Sequence, residues 1–322
     1  MAALGEHITA MVRSHAAGDD AAFYSVALQV AAREARSGHH TIAENIKKSV
    51  DSSRQVTPRS NITKLAQPRG DLAELVETTH PAVTLREFVA PPSLTGQIKH
   101  IIAEQRQRQR LLEHGFAPAH RLLLEGPPGT GKTMTASVLA SELALPMFTV
   151  RLDSLLSKYM GETAAKLRIV FEAVAQRRGV YLFDEFDSLG GDRSGNDVGE
   201  ARRILNSFLV FLEGVSPESI VIAATNHRSI LDRALFRRFD AVLAYQLPDA
   251  RQASAVIRAR LGSLGTGLSL AKLGDHTNGL SHADLVKAAE SAAKGALMRG
   301  QSAVRREDLI TALTARQQAN IG

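Results

Sequence analysis

Cysteine is absent from all 322 residues. That excludes disulfides, zinc–thiolate sites and thiol nucleophiles, and it fits a cytoplasmic protein. Tryptophan is also absent and aromatic residues make up only 5% of the chain, so an aromatic inside a polar, glycine-flanked stretch asks for a reason. No stretch approaches the ~20 apolar residues that a membrane-spanning helix needs, so no membrane partner is expected. The N-terminus lacks a basic patch followed by an apolar run, so no secretory leader is expected. Neither an H-E-x-x-H motif nor a Ser/His/Asp protease pattern occurs, so any proteolysis must come from a partner.

What is present is ordinary in bulk. The chain is 44% hydrophobic and 22% charged, with a net charge of +6. Its length suits two or three domains. Part of the positive excess sits in Arg54, Arg59, Lys64 and Arg69, with no acid between them. A solvated basic linker is the plain reading, and contact with a nucleic-acid backbone is the sharper alternative.

Residues 1–53 read as a small helical docking domain. Asp19 and Asp20 can cap a helix through Phe23, Val26, Ala27, Val30 and Ala31, and Thr41 can cap another holding Ile42, Ile46 and Val50. Residues 54–80 read as the basic linker, with Pro58, Pro68, Gly70 and a short helix near Leu72–Val76. An amphipathic helix is expected from Ile98 through Ile101, Ile102 and Leu112. Residues 81–248 then alternate strand-like runs with helical stretches. The candidate strands are Arg121–Glu125, Met147–Leu152, Gly179–Phe183, Ile220–Ala224 and Ala241–Gln246. That alternation predicts a three-layer, mostly parallel α/β sheet. Residues 249–322 turn wholly helical, with segments expected at Ala253–Leu261, Ala283–Met298 and Arg306–Gln317.

The chemistry concentrates at the end of the first of these strands. Gly126-Pro127-Pro128-Gly129-Thr130-Gly131-Lys132-Thr133-Met134 fits the pattern G-x-x-x-x-G-K-[ST]. Its glycines let backbone N–H groups close around an anion, and the helix that follows turns its positive end toward phosphates. Lys132 is expected on the β- and γ-phosphates of ATP, and the Thr133 hydroxyl on Mg²⁺. The apolar run Val180-Tyr181-Leu182-Phe183 ends in Asp184-Glu185. An acid pair at a strand tip reaches the ligand edge of such a sheet. Asp184 would hold Mg²⁺ with Thr133, and Glu185 would polarise a water, which favours hydrolysis over transfer. The run Val221–Ala224 ends in Thr225-Asn226, where Asn226 either caps a turn or orients water beside the γ-phosphate.

These motifs, with Arg237-Arg238-Phe239-Asp240, stand in the order and rough spacing of AAA+ ATPases, and residues 85–322 resemble that family. They look most like its single-module members that carry an N-terminal adaptor and work as hexamers. The resemblance implies an AAA+ core of the P-loop NTPase type, a C-terminal helical lid and a homo-oligomeric ring. It implies that Asn226 is the sensor residue. It implies that Arg238, with Arg237, reaches the ATP of a neighbouring subunit and stabilises charge on the transferred phosphoryl group. Gly279-Leu280-Ser281-His282-Ala283-Asp284-Leu285 resembles the lid motif, with His282 where the family has glycine. His282 either contacts the nucleotide or caps the helix. Lys158-Tyr159-Met160, flanked by Gly161, resembles the first pore loop of protein-threading members, and residues 190–197 suit a second. An aromatic there grips an extended polypeptide by packing, without reading its sequence.

Two functions follow as expectations. One is a ring ATPase that remodels, threads or activates a protein client, with a partner protease in a bacterial defence or plasmid-maintenance unit as one setting for it. The other is a nucleic-acid helper of the transposition or helicase-loading type, toward which the basic linker points.

Overall fold

Leu122, Leu123 and Leu124 are each fully buried, although successive strand residues face opposite sides. A strand apolar on both faces needs a layer on each side of its sheet, and that requirement organises the fold. The computed structural model of the protein describes residues 26–27, 30–31, 35, 39, 41–45, 70–156, 161–189, 198–226, 236–270 and 273–321. The chain divides into two compact units, Met1–Ala66 and Gln67–Gly322.

In the first unit the described residues are helical at 26–27, 30–31, 35 and 41–45, and Ala27, Ala31 and Ala43 are buried. Ile42, expected on an apolar face, is instead 51% exposed. The small alanines carry the described packing here.

The second unit holds a six-stranded sheet of β1 (Val76–Thr79), β2 (Arg121–Glu125), β3 (Met147–Val150), β4 (Val180–Phe183), β5 (Ile220–Thr225) and β6 (Ala241–Ala244). The spatial order is β1-β3-β4-β5-β2-β6. All neighbours are parallel except β1, which runs antiparallel along β3 with Val76 opposite Val150. The helical turn Asp71–Leu75, expected near Leu72–Val76, and the edge strand β1, which was not expected, lie in the stretch read from sequence as linker. Their composition is polar and only Leu75 and Val76 are buried, so periodicity had little to register.

Helices α1 (Pro92–Arg106) and α2 (Lys132–Glu142) cover one face, and α3 (Glu162–Gln176) and α4 (Val198–Glu213) the other. The alternation is regular. Val180 and Leu182 pack with α1 and α2, whereas Tyr181 and Phe183 pack with α3 and α4. Phe183 stacks on Phe171 at 5.7 Å and meets Phe208 edge-on at 5.0 Å. The expected helix through Leu112 is broken. It stops at Arg106, turns at Gln107 and resumes as Arg108–Glu113, which buries nothing and leaves Leu112 41% exposed. Neither glycine nor proline marks the break, so the continuous arginine-bearing pattern concealed it.

Helices α5 (Ala250–Leu261), α6 (His282–Met298) and α7 (Arg306–Ile321) form a helical subdomain with its own core of Ile257, Leu285, Leu309 and surrounding alanines. Asp249 and Ser281 cap α5 and α6 with full capping boxes. Phe88 packs into the sheet core and Val89 against the helical core, so consecutive residues bridge the two. Among the described residues no helix is long and apolar enough to cross a membrane.

Phe183 is fully buried among aromatic partners. Phe183→Ala is therefore expected to cost about 3–5 kcal/mol of stability. A fall of that size in the unfolding free energy from urea titration, at unchanged protein concentration, is the check.

Candidate functional site at the carboxyl ends of the strands

Strand order brings the functional tips together. β5 lies between β4 and β2, with Ala223 opposite Phe183 and Thr225 opposite Glu125. The residues after those ends are Asp184, Asn226 and Gly126, so the acid pair, the asparagine and the glycine loop meet at one edge, where open α/β sheets bind ligands.

The loop is shaped by what it touches. Gly126 has φ +146°, and a Cβ there would lie 2.4 Å from the Tyr245 carbonyl oxygen. Its N–H donates to Thr225 O at 3.3 Å, and Tyr245 N–H donates to Glu125 O at 2.7 Å. Tyr245 also donates its hydroxyl to Thr135 Oγ1 at 2.6 Å, tying the end of β6 to α2. Burial drives the Tyr245 pKa far above the ordinary phenol value, so it stays a neutral donor. Gly129 has φ +71° and faces the lid: a Cβ would lie 2.6 Å from Ser281 Oγ. The Ala283 N–H donates to Gly129 O at 3.0 Å, joining the loop tip to the start of α6. Thr130 closes the loop from inside, its hydroxyl donating to Pro127 O at 2.7 Å.

Lys132 is 6% exposed. Its ammonium donates to Gly126 O at 2.7 Å, Pro127 O at 2.8 Å and Asn226 Oδ1 at 2.8 Å. Burial lowers its pKa, and Asp184 and Asp187 act against that shift. Thr133 donates to Asp184 Oδ2 at 2.6 Å. Glu185, beside it, is exposed and has φ +51°, the left-handed region that non-glycine residues rarely enter. Such strain, of order 1–3 kcal/mol, persists where surrounding structure imposes it and clusters at functional sites. Asn226 N–H donates to Asp187 Oδ1 at 3.2 Å.

A cavity of about 590 Å³ opens among these groups, lined by Pro128, Gly129, Gly131, Lys132, Thr133, Met134, Asp184, Glu185, Asn226 and His282. A second of about 560 Å³ adjoins it, bordered by Phe88, Val89, Thr130, Gly131, Met134 and His282. His282 thus borders both. Its ring nitrogens are buried without a hydrogen-bond partner, and burial lowers its pKa against the opposing influence of the Val89 backbone. A neutral ring there can accept or donate one hydrogen bond to a ligand.

The donor set fits Mg²⁺ bound together with a nucleotide. Thr133 and Asp184 offer oxygen ligands at hydrogen-bond separation, which suits a hard cation. Among the described residues no group of three or more acid or histidine side chains could hold a metal. The remaining positions would therefore fall to phosphate oxygens and water, the usual arrangement for Mg²⁺.

Other expected residues stand apart. Arg237 and Arg238 are exposed and border neither cavity. Arg238 instead pairs with Glu213 at the end of α4. Lys158, Tyr159, Met160 and residues 190–197 lie outside the described residues. Sequence reasoning missed Asp187, Tyr245 and the Ser281–Ala283 contact. Asp187, so near the Asp184-Glu185 pair, carried a usable signal; the others depend on tertiary neighbours.

The comparisons agree with this geometry. The model for "ATPase family associated with various cellular activities (AAA)" matches residues 122–247. The Sinorhizobium fredii protein named "uncharacterized AAA family ATPase y4kL" is 31% identical over 315 residues, 97% of this chain and 94% of that one. Two ATP-dependent zinc metalloproteases of Sphaerobacter thermophilus, FtsH 4 and FtsH 3, are 32% and 34% identical over 253 and 255 residues. This chain spans only 38% and 51% of their lengths. With the phosphate loop, the acid pair and the asparagine gathered at one cavity, and a relative matched over nearly its whole length, the chain belongs to the AAA family of ATPases.

Proposed function

We propose that this chain hydrolyses ATP with Mg²⁺ in a ring of identical subunits, the hexamer that the family resemblance implies, and uses the energy to remodel a protein client. The observation that carries the hydrolytic part is convergence. Lys132, Thr133, Asp184, Glu185 and Asn226, drawn from three separate strand ends, line one cavity. Mg²⁺, when bound, would supply positive charge that offsets the charge developing on the transferred group. Thr133 and Asp184 would hold it. Lys132 would exchange its two loop carbonyls for phosphate oxygens, and the backbone of Gly129, Gly131 and neighbouring residues would cradle the chain of phosphates. Glu185 accepts a proton from, or aligns, the attacking water, and Asn226 fixes that water's position.

The exposure of Arg237 and Arg238, away from their own cavity, supports a role at a neighbour's nucleotide. An arginine in that place neutralises transition-state charge, and finger arginines are worth about 10³–10⁵ in rate. Protein threading rests on the sequence of the Lys158–Met160 loop, and the zinc metalloprotease relatives favour a protein client over a nucleic acid. A partner protease and a role in bacterial defence or plasmid maintenance belong to this same reading.

Lys132→Ala should abolish ATP binding in calorimetric titration. Glu185→Gln should retain binding and lower turnover at least about a hundredfold, within the range for loss of a general base. Wild-type phosphate release by that variant would remove Glu185 from the mechanism. Tyr159→Ala should keep basal hydrolysis and lose client-stimulated hydrolysis, with an unfolded protein and single-stranded DNA as the two stimulants compared. Stimulation by the DNA alone would favour the nucleic-acid reading.

A further inference from the structure

His120 precedes β2, is 4% exposed, and takes no part in the nucleotide cavity. Its surroundings are unusual in one respect: every partner is an acceptor. Nδ1 lies 2.9 Å from Pro118 O and 3.1 Å from Asp240 Oδ2, and Nε2 lies 3.2 Å from Val215 O. A neutral imidazole has one N–H. In either tautomer, a ring lone pair of this buried histidine would then face a carbonyl or carboxylate oxygen. Only the imidazolium satisfies both sides.

Two of the three acceptors, Asp240 and Val215, belong to the segments that hold Arg238. Asp240 follows the Arg237-Arg238-Phe239 turn, and its carboxylate also accepts from His120 N at 3.0 Å, Arg121 N at 2.9 Å and the Arg121 guanidinium at 2.5 Å. Val215 follows the end of α4, where Glu213 pairs with Arg238. The ring therefore ties the 213–215 segment, the 236–240 turn and the start of β2 at one point.

We infer that His120 is a positioning residue, held as an imidazolium, that fixes the Arg237–Arg238 turn for use by a neighbouring subunit; the functional half of this rests on the in-trans reading above. The charged groups facing it are Asp240 and Arg121. Glu213 and Glu218, near Val215 in sequence, are engaged by Arg238 and Arg108, and Glu104 on α1 accepts from Ala119 N. Burial, the largest effect, lowers the His120 pKa, and Arg121 adds to that; Asp240 and the Pro118 carbonyl outweigh them and leave it raised. Asp240 is in turn held far below the usual carboxylate range, because hydrogen bonds from His120 and Arg121 overcome its burial. A raised histidine pKa means that the clamp is complete at low pH and fails as pH rises through the folded-state value.

Two measurements on the full chain separate the possibilities. In ¹⁵N-histidine NMR, with His120→Gln to assign the signal, both ring nitrogens should carry protons at about pH 6.5, the ordinary histidine midpoint. A neutral tautomer at that pH overturns the inference, whatever the arginines do. The second uses mixed rings. Lys132→Ala subunits can donate an arginine and Arg238→Ala subunits can hold ATP, so the mixture should recover turnover. Adding His120→Gln to the donating Lys132→Ala subunit should cut that recovery about tenfold, within the penalty for an ångström-scale misplacement. Adding it to the ATP-holding subunit should leave recovery unchanged. A loss confined to the ATP-holding arm would assign His120 to its own phosphate loop, equal losses in both arms would mark a general fold defect, and either result would overturn the positioning role. No recovery in the parent mixture would instead sink the in-trans reading, while the NMR result stands by itself.

Discussion

A buried ammonium group at the meeting point of three strand ends is the constraint around which this molecule is arranged. Removing Lys132 from water is costly unless every proton finds an acceptor. It finds three, in Gly126, Pro127 and Asn226, so the loop must curl back over its own lysine and β5 must end beside β2. The glycine at the start of the loop, the tyrosine beyond β6 that presses on it, and the order of the strands all serve that geometry. The same three acceptors are replaceable: phosphate oxygens offer the ammonium a stronger partner than two carbonyls do.

From that point the structure extends along two branches. One runs through Gly129 to Ala283 and the helical subdomain, so the loop tip and the lid share a hydrogen bond and a close approach that no side chain at 129 would permit. The loop tip and the start of α6 are therefore in direct contact. The other runs back down β2 to Arg121, Asp240 and His120, and from there to the exposed arginine turn. The strand that carries the loop at one end carries the anchor of the arginines at the other. Through β2, the phosphate loop and the anchor of the Arg237–Arg238 turn share one element.

Much of this was legible in the residues. The loop glycines, Lys132, Asp184-Glu185 and the buried strands carry local signals, because a phosphate cradle and a doubly covered strand each restrict composition over a few consecutive positions. The helical lid was legible for the same reason, its capping residues Asp249 and Ser281 standing at the helix starts. What escaped was long-range or weakly patterned. The antiparallel strand Val76–Thr79 has too little apolar content to declare itself. Asp240 and His120 meet across 120 positions, a distance no periodicity spans. His282 stands out in the sequence only as a departure from the motif it resembles; its placement at the junction of two cavities depends on the fold.

In the proposed mechanism one chain holds only part of an active site, with the remainder supplied by the next copy. The most direct measurement is ATP turnover per subunit across a wide dilution series, with assembly followed in the same samples by sedimentation velocity. A site completed in trans requires turnover per subunit to vanish as the complexes dissociate and to return in step with their formation. Constant turnover per subunit in samples that sediment as single chains would contradict it, and would place the whole reaction within the cavity around Lys132.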